Sequence, residues 1–303
     1  MFKKVLVMLT TMVVMLSLTT FDIGAYTGSN WMGTIDGSKS LTQLSIPGTH
    51  DSGARYEPVS GTAKCQDLTI AEQLAAGVRY LDIRCRHIDD TFAIHHGLVF
   101  QHIYFDDVLD DCIGFLNSNP SECIIMCIKE EHTPSNNTRS FEQTFDSYVA
   151  QNPDKWCLTA TIPTLGQARG KIVLLRRFNA VTVPKGIDAT SWADNTVFTI
   201  DNGFAKLKIQ DKYVVPDNNA KWTLIQNLYT EAKSQNFDRL YINFSSGYKM
   251  LYGILPSITT VSNFMNPKLV TYFTSNTSGR YGITAMDFAD TGKCSLIINT
   301  NFN

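Results

Sequence analysis

Short apolar runs recur at nearly even spacing along this 303-residue chain, and several end on a charged side chain; no other feature limits the possible folds as much. The runs at 44–46, 80–84, 92–95, 123–129, 171–177, 240–244 and 282–288 are strand-like. Several are apolar throughout, as strands covered on both faces are. Segments 70–76, 105–117, 141–151, 222–235 and 261–273 read as helices between them. Alternation of this kind predicts an α/β fold, a single TIM-type (β/α) barrel that is irregular or incompletely closed. Arg84, Lys129, Arg177 and Asp287 stand where apolar strands finish. In a parallel barrel those ends share one rim, where active sites are built. The plainer reading is that charges mark where strands reach water.

Residues 1–25 are expected to be a signal peptide: Lys3 and Lys4 precede an apolar stretch over 5–18 that is too short to span a bilayer comfortably. The single domain then covers 26–303, with no repeat or linker dividing it, and the mature protein is expected to be secreted and monomeric. The formal charge of −2 gives no bulk attraction to nucleic acid, so none is expected as a partner. Seven cysteines follow the leader, an odd number that leaves at least one unpaired. Cys123 and Cys127 lie on one apolar run, where small buried thiols are a sufficient explanation, and no Cys-x-x-Cys metal pattern occurs. Of the three glycosylation sequons, at Asn136, Asn243 and Asn276, the second falls in a strand expected to be buried.

Ser45-Ile46-Pro47-Gly48-Thr49-His50-Asp51-Ser52-Gly53 reads as a strand that breaks at Pro47-Gly48 and delivers His50 and Asp51 onto a turn. As its immediate neighbour, Asp51 could orient the His50 ring, as a general base requires, or it could simply cap the turn. His95-His96-Gly97 supplies a second imidazole, since only one of two adjacent strand residues can face a barrel interior. That pair could also be half of a metal site or lie in solvent. Asp82 and Arg84 share one strand face, as does Arg86 if the strand continues, and a guanidinium fork there suits a phosphate.

Together these segments resemble the bacterial phosphatidylinositol-specific phospholipases C, and the likeness covers nearly all of the mature chain. It is carried by residues 45–53, Asp-Ile-Arg-Cys-Arg at 82–86, His-His-Gly at 95–97, Asn-Pro-Ser-Glu-Cys-Ile-Ile-Met at 119–126 and Ala-Arg-Gly-Lys-Ile-Val-Leu-Leu-Arg-Arg at 168–177. Gln-Asp-Lys-Tyr at 210–213, Leu-Tyr-Ile-Asn-Phe at 240–244 and Asp287 complete it. The resemblance implies that His50 is the general base toward the inositol 2-hydroxyl, with Asp51 assisting at the same site. His96 would be the acid that protonates the leaving diacylglycerol oxygen, with Asp287 holding it. Arg84, positioned by Asp82, would neutralise the phosphate where eukaryotic relatives use calcium, so neither metal nor cofactor is expected.

Lys129, Arg177, Asp211 and Tyr213 would form the inositol pocket. The products would be diacylglycerol and inositol 1,2-cyclic phosphate, and glycosylphosphatidylinositol anchors present the same phosphodiester. The family's tryptophan on an early rim helix has no counterpart at 61–77. The apolar cluster of Tyr248, Met250, Leu251 and Tyr252, extended by Ile254 and Leu255, is expected to meet the membrane, unless it is ordinary helix packing. Two other readings remain: a metal-dependent glycerophosphodiester phosphodiesterase, which would need a metal ligand where Arg84 stands, and a catalytically silent lipid-binding barrel.

Overall fold

A computed structural model describes residues 27–234 and 237–303, so the proposed leader lies outside the described residues. The strands in chain order are β1 (Ser45–Thr49), β2 (Tyr80–Ile88), β3 (Thr91–His96), β4 (Val99–Tyr104), β5 (Ile124–Ser135), β6 (Trp156–Cys157), β7 (Ile172–Arg177), β8 (Ile187–Asp188), β9 (Val197–Asp201), β10 (Lys206–Gln210), β11 (Leu240–Phe244), β12 (Lys249–Leu251), β13 (Leu255–Ser257) and β14 (Gly282–Met286). The main sheet runs β6-β7-β5-β2-β1-β14-β11-β10-β9. Every pairing along it is parallel except β10 with β9, and the end strands β6 and β9 do not pair with each other. The barrel is therefore open, as the sequence led us to expect.

Helices α1 (Ile70–Ala76), α2 (Phe105–Ser118), α3 (Phe141–Gln151), α4 (Leu165–Ala168), α5 (Asn218–Ser234), α6 (Ile258–Ser275) and α7 (Thr291–Asn299) link the strands. Their starts are written in the sequence: Thr69 with Glu72, Ser140 with Gln143 and Thr164 with Gln167 each close a reciprocal capping box. None of the helices among the described residues is long and apolar enough to cross a membrane.

Pro47-Gly48 does not break its strand. The Pro47 carbonyl accepts from Arg79 N, so its missing N–H faces β2 as well, where the ladder begins only at Gly48. Gly48 is needed because a Cβ there would lie 2.9 Å from Tyr80 Cδ1 and 3.2 Å from Ile283 Cγ2. The central strands β1, β11 and β14 are buried at every position. At their N-terminal side, Arg79 and Glu122 form an ion pair with no solvent exposure, and the Arg79 guanidinium lies over the Phe115 ring. All seven cysteines are buried and free.

Candidate active site

The C-terminal ends of the strands surround a cavity of about 640 Å³ that opens between the β3–β4 turn and the β12–β13 hairpin. His50, Arg84, His96, Lys129, Arg177, Asp211 and Tyr213 all line it. Those residues span 163 positions of sequence, and parallel strand ends are what bring them together.

His50 and His96 meet edge to face with ring centroids 6.2 Å apart. His50 Nδ1 lies 2.8 Å from Asp287 Oδ1. A carboxylate only accepts, so Nδ1 carries the proton and Nε2 keeps its lone pair. Burial opposes a charged ring, but Asp287 outweighs it, and the His50 pKa lies above its ordinary value. His96 Nδ1 donates to the Ala63 carbonyl at 2.6 Å, leaving Nε2 as the nitrogen that can exchange a proton. Asp51 Oδ2 lies 3.8 Å from that Nε2.

The two carboxylates are thus exchanged relative to expectation: Asp287 serves His50, and Asp51 faces His96. Strand register explains the swap. Thr49 pairs with Met286, so the next residues, His50 and Asp287, emerge side by side with their side chains on the same face. Asp51, one residue further and at φ 40°, turns toward β2, where its N–H donates to Asp82 Oδ2.

Arg84 is fixed by Asp82 Oδ2, which accepts from Nε at 3.1 Å and from Nη2 at 3.0 Å. Burial alone would raise the Asp82 pKa, but the Arg84 charge keeps it well below the carboxylate range. Arg86 does not join them. A register shift after Cys85 turns it to donate to the Thr133 carbonyl. His95 packs against Phe100 and His132, away from the cavity, as strand alternation requires.

Three site residues had escaped the sequence reading. Glu131 accepts from Lys129 Nζ at 2.6 Å, from Arg84 Nη1 at 3.4 Å and from Gly97 N at 3.2 Å. Burial would raise its pKa, yet those cations hold it at about 2. The period-two pattern from Lys129 would have found it had β5 been read as far as Ser135. Trp192 lies under the Arg177 guanidinium at 3.9 Å and donates Nε1–H to Asp211 Oδ2 at 2.9 Å. Asp194 accepts from the Tyr213 hydroxyl at 2.6 Å. Both sit on an irregular segment that carries no periodic signal. Behind them, buried Lys221 holds the end of β10 through Gln210 Oε1 and the Lys212 carbonyl.

Asp51 is fully buried and neither carboxylate oxygen has a hydrogen bond. Burial pushes its pKa from 3.8 up to about 6, against the pull of His96 and Arg84. The folded state therefore keeps this proton to higher pH than the unfolded chain, and stability is lost as pH rises from about 4 to about 6. Asp51→Asn is expected to raise stability above pH 6 by on the order of 1–3 kcal/mol. Thermal melts of both proteins in EDTA check this, and the gain should vanish near pH 4; a gain that does not depend on pH would contradict it.

The rim is apolar. Tyr252 is 96% exposed and Ile254 78%, on the β12–β13 hairpin, and Met250, Leu251 and Leu255 beside them are also exposed. Helix packing is therefore not their role. Met250 also lines the cavity mouth.

The profile of the family described as phosphatidylinositol-specific phospholipase C, X domain, matches residues 38–178. The 1-phosphatidylinositol phosphodiesterase of Staphylococcus aureus (strain Newman) is 35% identical over 276 residues, covering 86% of this chain and 88% of the relative. The enzyme of the same name from Listeria monocytogenes is 30% identical over 287 residues, covering 91% and 86%. A solved structure of the S. aureus phosphatidylinositol-specific phospholipase C, from work on modulating its membrane binding, superposes with a TM-score of 0.80 at 33% identity and covers 90% of this chain and 98% of that one.

Proposed function

Because this chain belongs to the bacterial phosphatidylinositol-specific phospholipases C, we propose that it cleaves phosphatidylinositol to diacylglycerol and inositol 1,2-cyclic phosphate by acid–base catalysis without a metal. The observation that carries this mechanism is the facing pair of imidazoles, each with its own carboxylate, beside a guanidinium.

His50 Nε2 takes the proton of the inositol 2-hydroxyl, and that oxygen attacks phosphorus. His96 gives its Nε2 proton to the diacylglycerol oxygen as the phosphorus–oxygen bond breaks. Base and acid on either side of phosphorus suit an in-line displacement. Arg84 is the fixed positive charge for the phosphate oxygens, oriented by Asp82 and Glu131. Hydrolysis of the cyclic product to inositol 1-phosphate uses the histidines in exchanged roles.

Lys129, Glu131, Arg177, Asp211 and Tyr213 bond the ring hydroxyls, so headgroups that lack them leave buried polar groups unpaired and are poor substrates. Glycosylphosphatidylinositol anchors share the same chemistry. A glycerophosphodiester phosphodiesterase would need a metal ligand in place of Arg84, and a silent barrel would have no use for the paired histidines.

We further propose that residues 1–25 direct export, that the secreted enzyme acts as a monomer, and that the β12–β13 hairpin dips into the bilayer interface. Exposed Leu98 and Val59 extend that apolar rim; the Val59 loop is tied to α6 through the Gly61 carbonyl.

In excess EDTA, the protein is expected to release water-soluble phosphorus from phosphatidylinositol vesicles and none from phosphatidylcholine vesicles. The double change Tyr252→Ser with Ile254→Ser should slow release from vesicles several-fold while sparing a soluble short-chain substrate. Activity that returns only with calcium would sink the metal-free mechanism.

A further inference from the structure

We propose that Asp51, Cys65 and His96 form a chelating site for a thiophilic divalent cation such as Zn2+, whose binding shuts the catalytic centre. Cys65 is fully buried behind the two histidines, with Sγ 3.8 Å from His96 Nδ1. One ligand atom from each of Asp51, Cys65 and His96 lies within 4.8 Å of the others, and the same holds for His50, Cys65 and Asp287. The thiol therefore sits where both histidine–carboxylate pairs can reach it.

A second observation points independently to a cation. Asp51 has no solvent exposure, and neither of its oxygens accepts a hydrogen bond; Asp287 Oδ2 is likewise unpartnered. Asp82 is paired with Arg84 and Asp287 with His50, whereas Asp51 has only the more distant Arg84 Nε at 3.7 Å and His96 Nε2 at 3.8 Å. Buried lone pairs without donors are costly, and a cation satisfies them directly.

The ligand chemistry fits zinc. His96 donates Nδ1–H to the Ala63 carbonyl, which is how metal-bound imidazoles are commonly oriented, and its Nε2 faces Asp51 at 3.8 Å. With zinc bonds of about 2.0 to 2.3 Å, tetrahedral ligand atoms stand roughly 3.3–3.8 Å apart, so the Cys65 thiol, which contacts the Nδ1 side of the ring, has to turn toward Nε2 to complete the set. Binding releases the thiol proton, together with any proton on Asp51 or His96 Nε2. The cation is an inhibitor here and not a cofactor, because it occupies the nitrogen that must give up a proton.

The chelating geometry stands without the proposed function, whereas its inhibitory consequence rests on His96 being the acid, so the two are read separately. Titration of the full-length mature protein with Co2+ should produce a near-ultraviolet thiolate-to-cobalt band that Zn2+ displaces. Cys65→Ser and Cys65→Ala should lack the band and keep metal-free turnover, while Cys85→Ser should retain the band. Zn2+ should inhibit phosphatidylinositol cleavage, with an inhibition constant more than about tenfold higher in Cys65→Ser. No band in the unaltered protein, or an equal band in both Cys65 variants, overturns the site. A normal band with unimpaired turnover overturns the inhibition and, with it, the assignment of His96.

Discussion

Turnover of phosphatidylinositol vesicles is expected to fall by about 100- to 10,000-fold when His50 is replaced by alanine, the range that removing a general acid or base usually produces. His96→Ala should lose a similar factor, but the two losses should separate when the leaving group is changed. A phosphodiester of inositol with an acidic phenol as leaving group needs no proton on departure, so it should restore most of the His96→Ala rate and none of the His50→Ala rate. Equal rescue of both variants would sink the division of labour.

The Asp287 contact sharpens the test. Asp287→Asn can present an amide N–H to His50 Nδ1 and move the ring proton to Nε2, where the lone pair is needed. This variant should fall nearly as far as His50→Ala, and Asp287→Ala, which imposes no tautomer, should fall less. The base works only when neutral and its pKa is raised by Asp287, so the acid limb of the pH–rate profile should lie above the ordinary histidine value of 6.5 and move down in Asp287→Ala.

Glu122→Gln is expected to be the most destabilising single change, at about 3–5 kcal/mol, the usual penalty for removing one partner of a buried ion pair. Arg79 is fully buried and is held by Glu122 Oε2 together with the Leu74, Val78 and Gly28 carbonyls. Glu122 Oε2 also accepts from Met32 N, tying the N-terminal segment to the start of β5. Without the carboxylate, the guanidinium is a buried charge among dipoles. The melting temperature should drop by roughly 10 °C.

The half-exposed Lys206–Asp201 contact is a suitable comparison, because Asp201→Asn should change stability by less than about 0.5 kcal/mol. Melts of the two variants side by side check this, and a Glu122→Gln protein that melts with the unaltered one would show that the pair is not an anchor. Activity below the transition should survive, since the pair lies at the N-terminal side of the sheet, opposite the cavity.

Several features of this protein follow from local chemistry and were legible in the sequence. Apolar runs longer than water-facing strands allow marked β2, β5, β7, β11 and β14, and α1 and α3 fall on the expected residues because capping boxes fix helix starts locally. Arg84, Lys129 and Arg177 were placed on the cavity because parallel strand ends share one rim, and Asp211 and Tyr213, which the family resemblance implied, line it too. Where an isolated residue seemed decisive, local reading failed: Pro47-Gly48 looked like a break, and only the neighbouring strands show that a central strand tolerates it.

Which carboxylate serves which histidine was settled by tertiary structure alone. Asp51 is next to His50 in sequence and yet faces His96, while Asp287, 237 residues away, holds His50. Adjacent residues at a strand end point to opposite sides, and in-register residues of neighbouring parallel strands point to the same side, so the pairing belongs to the β1–β14 register. Trp192 and Asp194 were decided in the same way, because an irregular segment has no period and its side chains acquire partners only when distant strands bring Arg177, Asp211 and Tyr213 beside it.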